Sequence, residues 1–142
     1  MLIAIEVAAT VSDGDLPISA LTVDKKGQVI GAYRNEVVKT GDPTAHAEIL
    51  AMRELGLHRG EKSDTTLVVT LEPCPMCAWA IRLSGVARVV FGAYNPQYGA
   101  GGSVLDLMRD GRHGSRVEVV GGVSEKECHD LLRNAFTNIR NT

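Results

Sequence analysis

The run Thr65 to Leu71 (TTLVVTL) constrains this chain more than any other stretch. It is strongly β-prone, it does not alternate apolar with polar residues, and it passes without a break into Glu72-Pro73-Cys74-Pro75-Met76-Cys77. A strand of that kind is covered on both faces, so other elements must lie above and below it. The chain after it reads as an apolar helix to about Ser84, which makes residues 72–77 a strand-to-helix junction.

The remaining segments supply the layers. Met1 to Ser12 is apolar on every face and stops at Ser12-Asp13-Gly14-Asp15, the pattern of a short, largely buried helix. Pro17 to Val23 and Gln28 to Arg34 flank Asp24-Lys25-Lys26-Gly27, so the first two strands form an antiparallel hairpin. A loop from Asn35 to Pro43 leads to a helix over Thr44 to Leu55, where Ile49, Met52 and Leu55 recur at helical spacing and Gly56 follows the last turn. Val86 to Gly92 and Arg116 to Val120 are the last two strands. The length between them exceeds a hairpin turn and suits a parallel crossover, with a helix expected over Val104 to Arg109. Ser124-Glu125-Lys126-Glu127 has the form of a capping box, and Cys128, Leu131, Leu132, Ala135, Phe136 and Ile139 share one face of the helix it would start. The sum is an α/β chain, a five-stranded mixed sheet with helices on both sides and strands four and five parallel.

With 142 residues, 44% of them apolar, the sequence reads as a single domain over 1–142. No stretch approaches the roughly 18 apolar residues of a membrane span, and no basic lead-in precedes the first apolar run, so a cytoplasmic location without membrane contact is expected. Three cysteines cannot form a fully paired disulfide framework, and two of them lie three positions apart, which suits a metal site in a reducing compartment.

Two short pieces supply chemistry: His46-Ala47-Glu48 at a helix start and Pro73-Cys74-Pro75-Met76-Cys77 at the strand-to-helix junction. Zinc takes imidazole and thiolate ligands, and a catalytic zinc has three protein ligands with the fourth position left to water. His46, Cys74 and Cys77 supply that set. Cys74 and Cys77 project to the same side of a first helical turn, and a helix N-terminus is expected to favour both thiolates. Glu48 is too close along the turn to be a further ligand and faces the bound water as a proton carrier. Zinc lowers the pKa of such a water to about 7, which yields a nucleophile for a ring carbon bearing an amino group. A redox pair would need a thioredoxin-like pattern, and a closed structural site a fourth ligand from Cys128, His58, His113 or His129. No second Cys-x-x-Cys or paired histidine offers one, and the joint pattern His-x-Glu then Pro-Cys-x-x-Cys is that of zinc deaminases.

The likeness extends beyond the motif. Asp42 to Ile49, Val69 to Ala78, Arg88 to Ala93, Gly101-Gly102-Ser103 and Glu127-Cys128 together resemble the bacterial tRNA-specific adenosine deaminase family over nearly the whole chain. That resemblance implies a three-layer α/β/α cytidine-deaminase-like fold, a homodimer, and conversion of the wobble adenosine of a tRNA anticodon stem-loop to inosine. It also implies that Asn35 hydrogen-bonds the flipped base, that the backbone at Ala45 approaches the base edge, and that Tyr94 to Ser103 contacts flanking nucleotides. The alternative on the same site is a deaminase of a free base or nucleoside such as guanine or cytosine; a non-catalytic zinc-stabilised subunit would have no need of Glu48.

The sequence departs from its relatives at several positions: Ser19 replaces a common Gly, Trp79 a small residue, and Asn95 a frequent Asp. Asn95, whose amide donates as well as accepts, is expected to weaken selection against a strand lacking the 2′-hydroxyl. Net charge is −2, so a polyanion must dock on a local patch. Trp79 to Arg116 contains five Arg against two Asp, and Leu131 onward two Arg and no acid.

Overall fold

The computed structural model describes residues 1–12, 14–56, 63–114 and 116–141. Five strands are present: β1 (Ser19–Val23), β2 (Val29–Arg34), β3 (Thr66–Leu71), β4 (Arg88–Ala93) and β5 (Glu118–Val120). They form one sheet in the order β2-β1-β3-β4-β5, with β1 antiparallel to both β2 and β3, and β4 parallel to both β3 and β5. The β-prone, non-alternating run is therefore the middle strand. The β1–β2 turn is closed by Asp24, whose Oδ1 accepts from the backbone of Lys26 and Gln28, both at 2.9 Å.

The helices are α1 (Leu2–Ala9), α2 (Val37–Thr40), α3 (Ala47–Leu55), α4 (Pro75–Ser84) and α5 (Glu125–Arg140). α1 lies on β1, β2 and β3 and meets α5, which packs on β4; α3 lies on β1 and β2 and meets α4. The result is the three-layer α/β/α arrangement. The main core lies on the α3/α4 side, where Ala47, Ala51, Ala78 and Ile81 close over Leu67, Val69, Val89 and Phe91. Because β3 and β4 run parallel, both end on the same side, and the segments after Leu71 and Ala93 emerge together. Ligand sites of open α/β sheets form at such carboxyl ends.

Four expectations need correction. α1 is not largely buried: Ala4 and Ala8 face inward, whereas Leu2 and Ile3 are 71% and 52% exposed. Two small side chains let the helix sit close to the sheet, where the Ser19 hydroxyl donates to the Ala4 carbonyl. The loop after β2 contains α2, whose first turn is capped from a distance: the Asp15 carboxylate accepts from the backbone of Val38 (2.8 Å) and Lys39 (2.9 Å). The β4-to-β5 crossover contains no α-helix at Val104 to Arg109; it is a chain of turns with a short 3-10 turn at Gly111–His113. Arginines pin that crossover. Arg82 of α4 donates to the carbonyls of Leu107 and Asp110, and Arg109 to those of Gly101 and Val119. Finally, Ser124 makes no capping bond to α5, because the chain arrives there in a left-handed conformation (φ 52°).

No helix among the described residues is long and apolar enough to cross a membrane. Within the crossover Met108 is fully buried, while Val104 is 54% exposed. Met108→Ala should cost about 2–5 kcal/mol of unfolding free energy in urea titrations, and Val104→Ala less than about 0.5 kcal/mol. Equal effects would show that the crossover is not a core element.

Candidate metal centre and substrate pocket

α3 and α4 start side by side, and each starts on a metal-ligating residue type. His46 precedes the first residue of α3 and Cys74 the first residue of α4, both with extended backbone (φ −68°, ψ 149° and φ −74°, ψ 172°). Pro75 at the start of α4 has no N–H to lose, and its fixed φ suits a first turn. Cys77 lies one turn in and is fully buried. These placements bring His46 Nδ1 to 3.7 Å from Cys74 Sγ and 3.4 Å from Cys77 Sγ. All three donor atoms lie within 4.8 Å of one another, and among the described residues no fourth His, Cys, Asp or Glu joins the group. One imidazole and two sulfurs at that separation fit zinc in an open, three-ligand site.

The expected fourth-ligand candidates lie elsewhere. Cys128 is packed under β4, where a Cβ on Gly92 would overlap its sulfur. His129 faces a different groove, and His58 and the His113 side chain lie outside the described residues.

Electrostatics divides the two sulfurs. A hydrogen bond from the Cys77 thiol holds Cys74 down to about 4, against the cost of burial, and the same bond together with burial holds Cys77 well above the usual cysteine value. Without metal, one proton is therefore shared between the two sulfurs. The hydrogen bond with Cys74 raises His46. Glu48 is 5% exposed, and burial pushes its carboxyl up to about 7.

His46, Glu48 and Cys74 line a cavity of about 440 Å³ whose other walls include Leu16, Ile18, Val37, Asn35, Asn95 and Tyr98. Its size is that of a small-molecule site, roughly 300–1,000 Å³. Asn35 faces it and is almost buried; its Nδ2 donates to Asp15 Oδ1 at 3.2 Å, so the acceptor-only partner sets which way the amide points. Ala45 is buried, its N–H bonded to the Asp42 carbonyl (3.1 Å) and its own carbonyl accepting from Glu36 (3.0 Å), and it is Ala47 that lines the cavity. Asn95 Oδ1 accepts from the backbone of Gln97 (3.2 Å) and Tyr98 (3.1 Å), so this oxygen serves its own loop. Inspection of the sequence missed Asp15 and Glu72. Asp15 showed only as part of a helix stop, and its tie to Asn35 spans a hairpin.

Residues 1–93 match the family model for the cytidine and deoxycytidylate deaminase zinc-binding region. The chain belongs to that deaminase family. A tRNA-specific adenosine deaminase of Bacillus subtilis is 42% identical over 131 residues, which cover 89% of this chain and 80% of that protein. A tRNA(Ile)-lysidine synthase of Deinococcus radiodurans is 44% identical over 128 residues, but the match spans only 22% of that longer protein. A solved structure from biochemical and structural studies of A-to-I editing by tRNA:A34 deaminases at the wobble position of transfer RNA superposes with a TM-score of 0.83 at 34% identity, covering 93% of this chain and 97% of that one. In this deaminase, then, the zinc-binding region of the family includes His46, Cys74 and Cys77, positioned to bind a metal ion.

The proton inventory predicts how zinc uptake depends on pH. At neutral pH Cys74 is already a thiolate and releases nothing, whereas Cys77 must give up a proton, and so must His46 below its raised pKa. Apparent zinc affinity of the metal-free protein should rise about tenfold per pH unit near neutrality and more steeply in mild acid. Calorimetric titrations in buffers of different ionisation enthalpy count the released protons; an affinity independent of pH would refute this ligand set.

Proposed function

We propose that residues 1–142 act as one zinc-dependent deaminase domain, a hydrolase that converts adenosine to inosine at the wobble position of a tRNA anticodon loop. Three supports converge on that reading: family membership, the likeness to tRNA-specific adenosine deaminases, and a base-sized cavity lined by His46, Cys74 and Glu48. His46, Cys74 and Cys77 hold the metal. Zinc there supplies a coordination position for water and lowers the pKa of that water.

The protein's own groups do the rest. Glu48, buried and raised to about 7, is matched to moving protons near neutral pH: it takes one from the attacking water and passes it to the adjacent ring nitrogen, then takes the second from the new hydroxyl and gives it to the amino group, which leaves as ammonia as the ring carbonyl forms. Water and adenosine enter; inosine and ammonia leave. The apolar walls from Leu16, Ile18 and Val37 exclude bulk water from the ring faces. Asn35, held by Asp15, hydrogen-bonds the flipped base, and the backbone at Ala45 approaches the base edge.

A single observation favours a polynucleotide over a free base. The cavity continues into a groove of about 480 Å³, the two sharing Leu16, Leu71, Asn95 and Tyr98. The groove presents Tyr94, Tyr98 and Phe136, each at least 46% exposed, beside Arg133 and Arg140. Aromatic faces for stacking and cations for phosphates are what a single-stranded loop requires. Only Arg133 and Arg140 of the modest basic content line this groove; Arg82 and Arg109 bond the crossover, and Arg88 and Arg112 pair with Glu118 and Asp110. A second copy of the chain is the expected partner of the exposed α4 stripe Met76, Trp79 and Leu83, giving a homodimer, and a tRNA substrate places the protein in the cytoplasm.

Zinc-loaded protein should produce inosine in an anticodon stem-loop carrying a wobble adenosine, and Glu48→Gln should lower kcat at least about a hundredfold while zinc content stays the same. Turnover of free guanine or cytosine with none of the stem-loop would select the free-base alternative. Full activity in Glu48→Gln would remove the proton-shuttle role. Arg133→Glu and Arg140→Glu should each raise KM for the stem-loop several-fold, leave kcat nearly unchanged, and alter the slope of log KM against log salt by about one. Unchanged KM values would mean that the RNA does not use this groove.

A further inference from the structure

Glu72 lies between the end of β3 and the metal-ligating Cys74, and it is 1% exposed. A buried carboxyl next to a metal centre, lining the same cavity, would ordinarily be read as a ligand or a proton carrier, yet the hydrogen bonds to it come from a single loop. Oε1 accepts from the backbone N–H of Gly101 (3.1 Å) and Ser103 (3.0 Å). Oε2 accepts from the backbone N–H of Asn95 (2.9 Å) and from the Ser103 hydroxyl. Four donors thus converge on one side chain. The next residue joins in, since the Pro73 carbonyl accepts from Ala100 N at 2.8 Å.

The loop is shaped to fit this group. A Cβ on Gly99 would overlap Glu72 Oε2 and the Asn95 carbonyl, and one on Gly101 would press on Glu72 Cγ. Residues 95–103 form no helix and no strand beyond an isolated bridge at Gly101, so the carboxyl supplies bonds that a regular element would otherwise provide. The same loop places Asn95 and Tyr98 on the wall shared by the base cavity and the RNA groove, and Pro96 and Gln97 along the groove itself.

We propose that Glu72 is a positioning residue: it gathers loop 95–103 so that Asn95 and Tyr98 stand at the junction of cavity and groove, and so governs how tightly the target strand is held. It acts through the loop, not on the reacting atoms. The metal centre and the strand-binding loop are thereby built on residues two apart, Glu72 and Cys74, of a single junction. The proposal rests on the polynucleotide reading of the preceding subsection.

Glu72→Gln keeps the size of the side chain but turns an acceptor into an N–H₂ group facing N–H donors. Ser103→Ala removes one donor from the exposed side. With the zinc-loaded protein, Glu72→Gln should keep its full zinc content, accelerate amide hydrogen exchange across residues 95–103, and raise KM for the stem-loop about tenfold or more with kcat altered less than about threefold. Ser103→Ala should shift the same readouts in the same direction by less, and the double variant should be no worse than Glu72→Gln alone. If exchange in the loop is unchanged in both variants, or if kcat or zinc content falls while KM holds, Glu72 does not position the loop. Ser103→Ala alone decides the matter should Glu72→Gln fail to fold. Absence of inosine with the wild-type protein would instead overturn the polynucleotide reading, and the exchange data would still show whether Glu72 holds the loop.

Discussion

The close approach of α3 to α4 is the contact on which the site depends. Ala47 and Ala51 on one helix and Ala78 on the other are fully buried, and small side chains let the two helices pack tightly over Leu67 and Val69 of the central strand. Their first turns then lie side by side, and the residues at those turns, His46 and Cys74, come within reach of each other and of Cys77. A larger residue at any of these alanines would separate the helix starts. The ligand cluster is a consequence of core packing before it is a matter of metal chemistry.

Burial then sets the chemical character of each group. The same enclosure that raises Glu48 to about 7 also disfavours charge on both sulfurs at once in the metal-free protein, so zinc binding must displace the proton they share. Around this centre, carboxylates act as organisers of backbone. Asp15 caps α2 and orients Asn35, and Glu72 gathers the loop that carries Asn95 and Tyr98. Both are satisfied by N–H groups distant in sequence, a use of acidic residues that stabilises irregular chain where no ladder is available.

Much of the fold was legible because its signals are local. The β-branched runs of β1, β3 and β4, the turn residues Asp24 to Gly27, and the spacing of Ile49, Met52 and Leu55 each act within a few positions. Errors fell where a distant group overrides local preference. α2, only four residues long, exists under a cap from Asp15; the Val104 to Arg109 segment has helix-forming residues but is held in turns by Arg82 and Arg109; Ser124 has a capping sequence but enters in a left-handed conformation. α1 was misjudged for a different reason: apolar composition all round does not say which stripe is covered, and only Ala4 and Ala8 are.

The sequence by itself determined the donor types, their spacing along the chain and the strand that joins them to the core, because residue identity fixes which atoms can bind zinc or move a proton. Only the tertiary structure decided that the two sulfurs and the imidazole come together, that Glu48 is buried beside them, and that the cavity shares a wall with an aromatic groove carrying Arg133 and Arg140. Those properties depend on burial and on the distance between groups far apart in the chain, and neither quantity exists until the layers have packed.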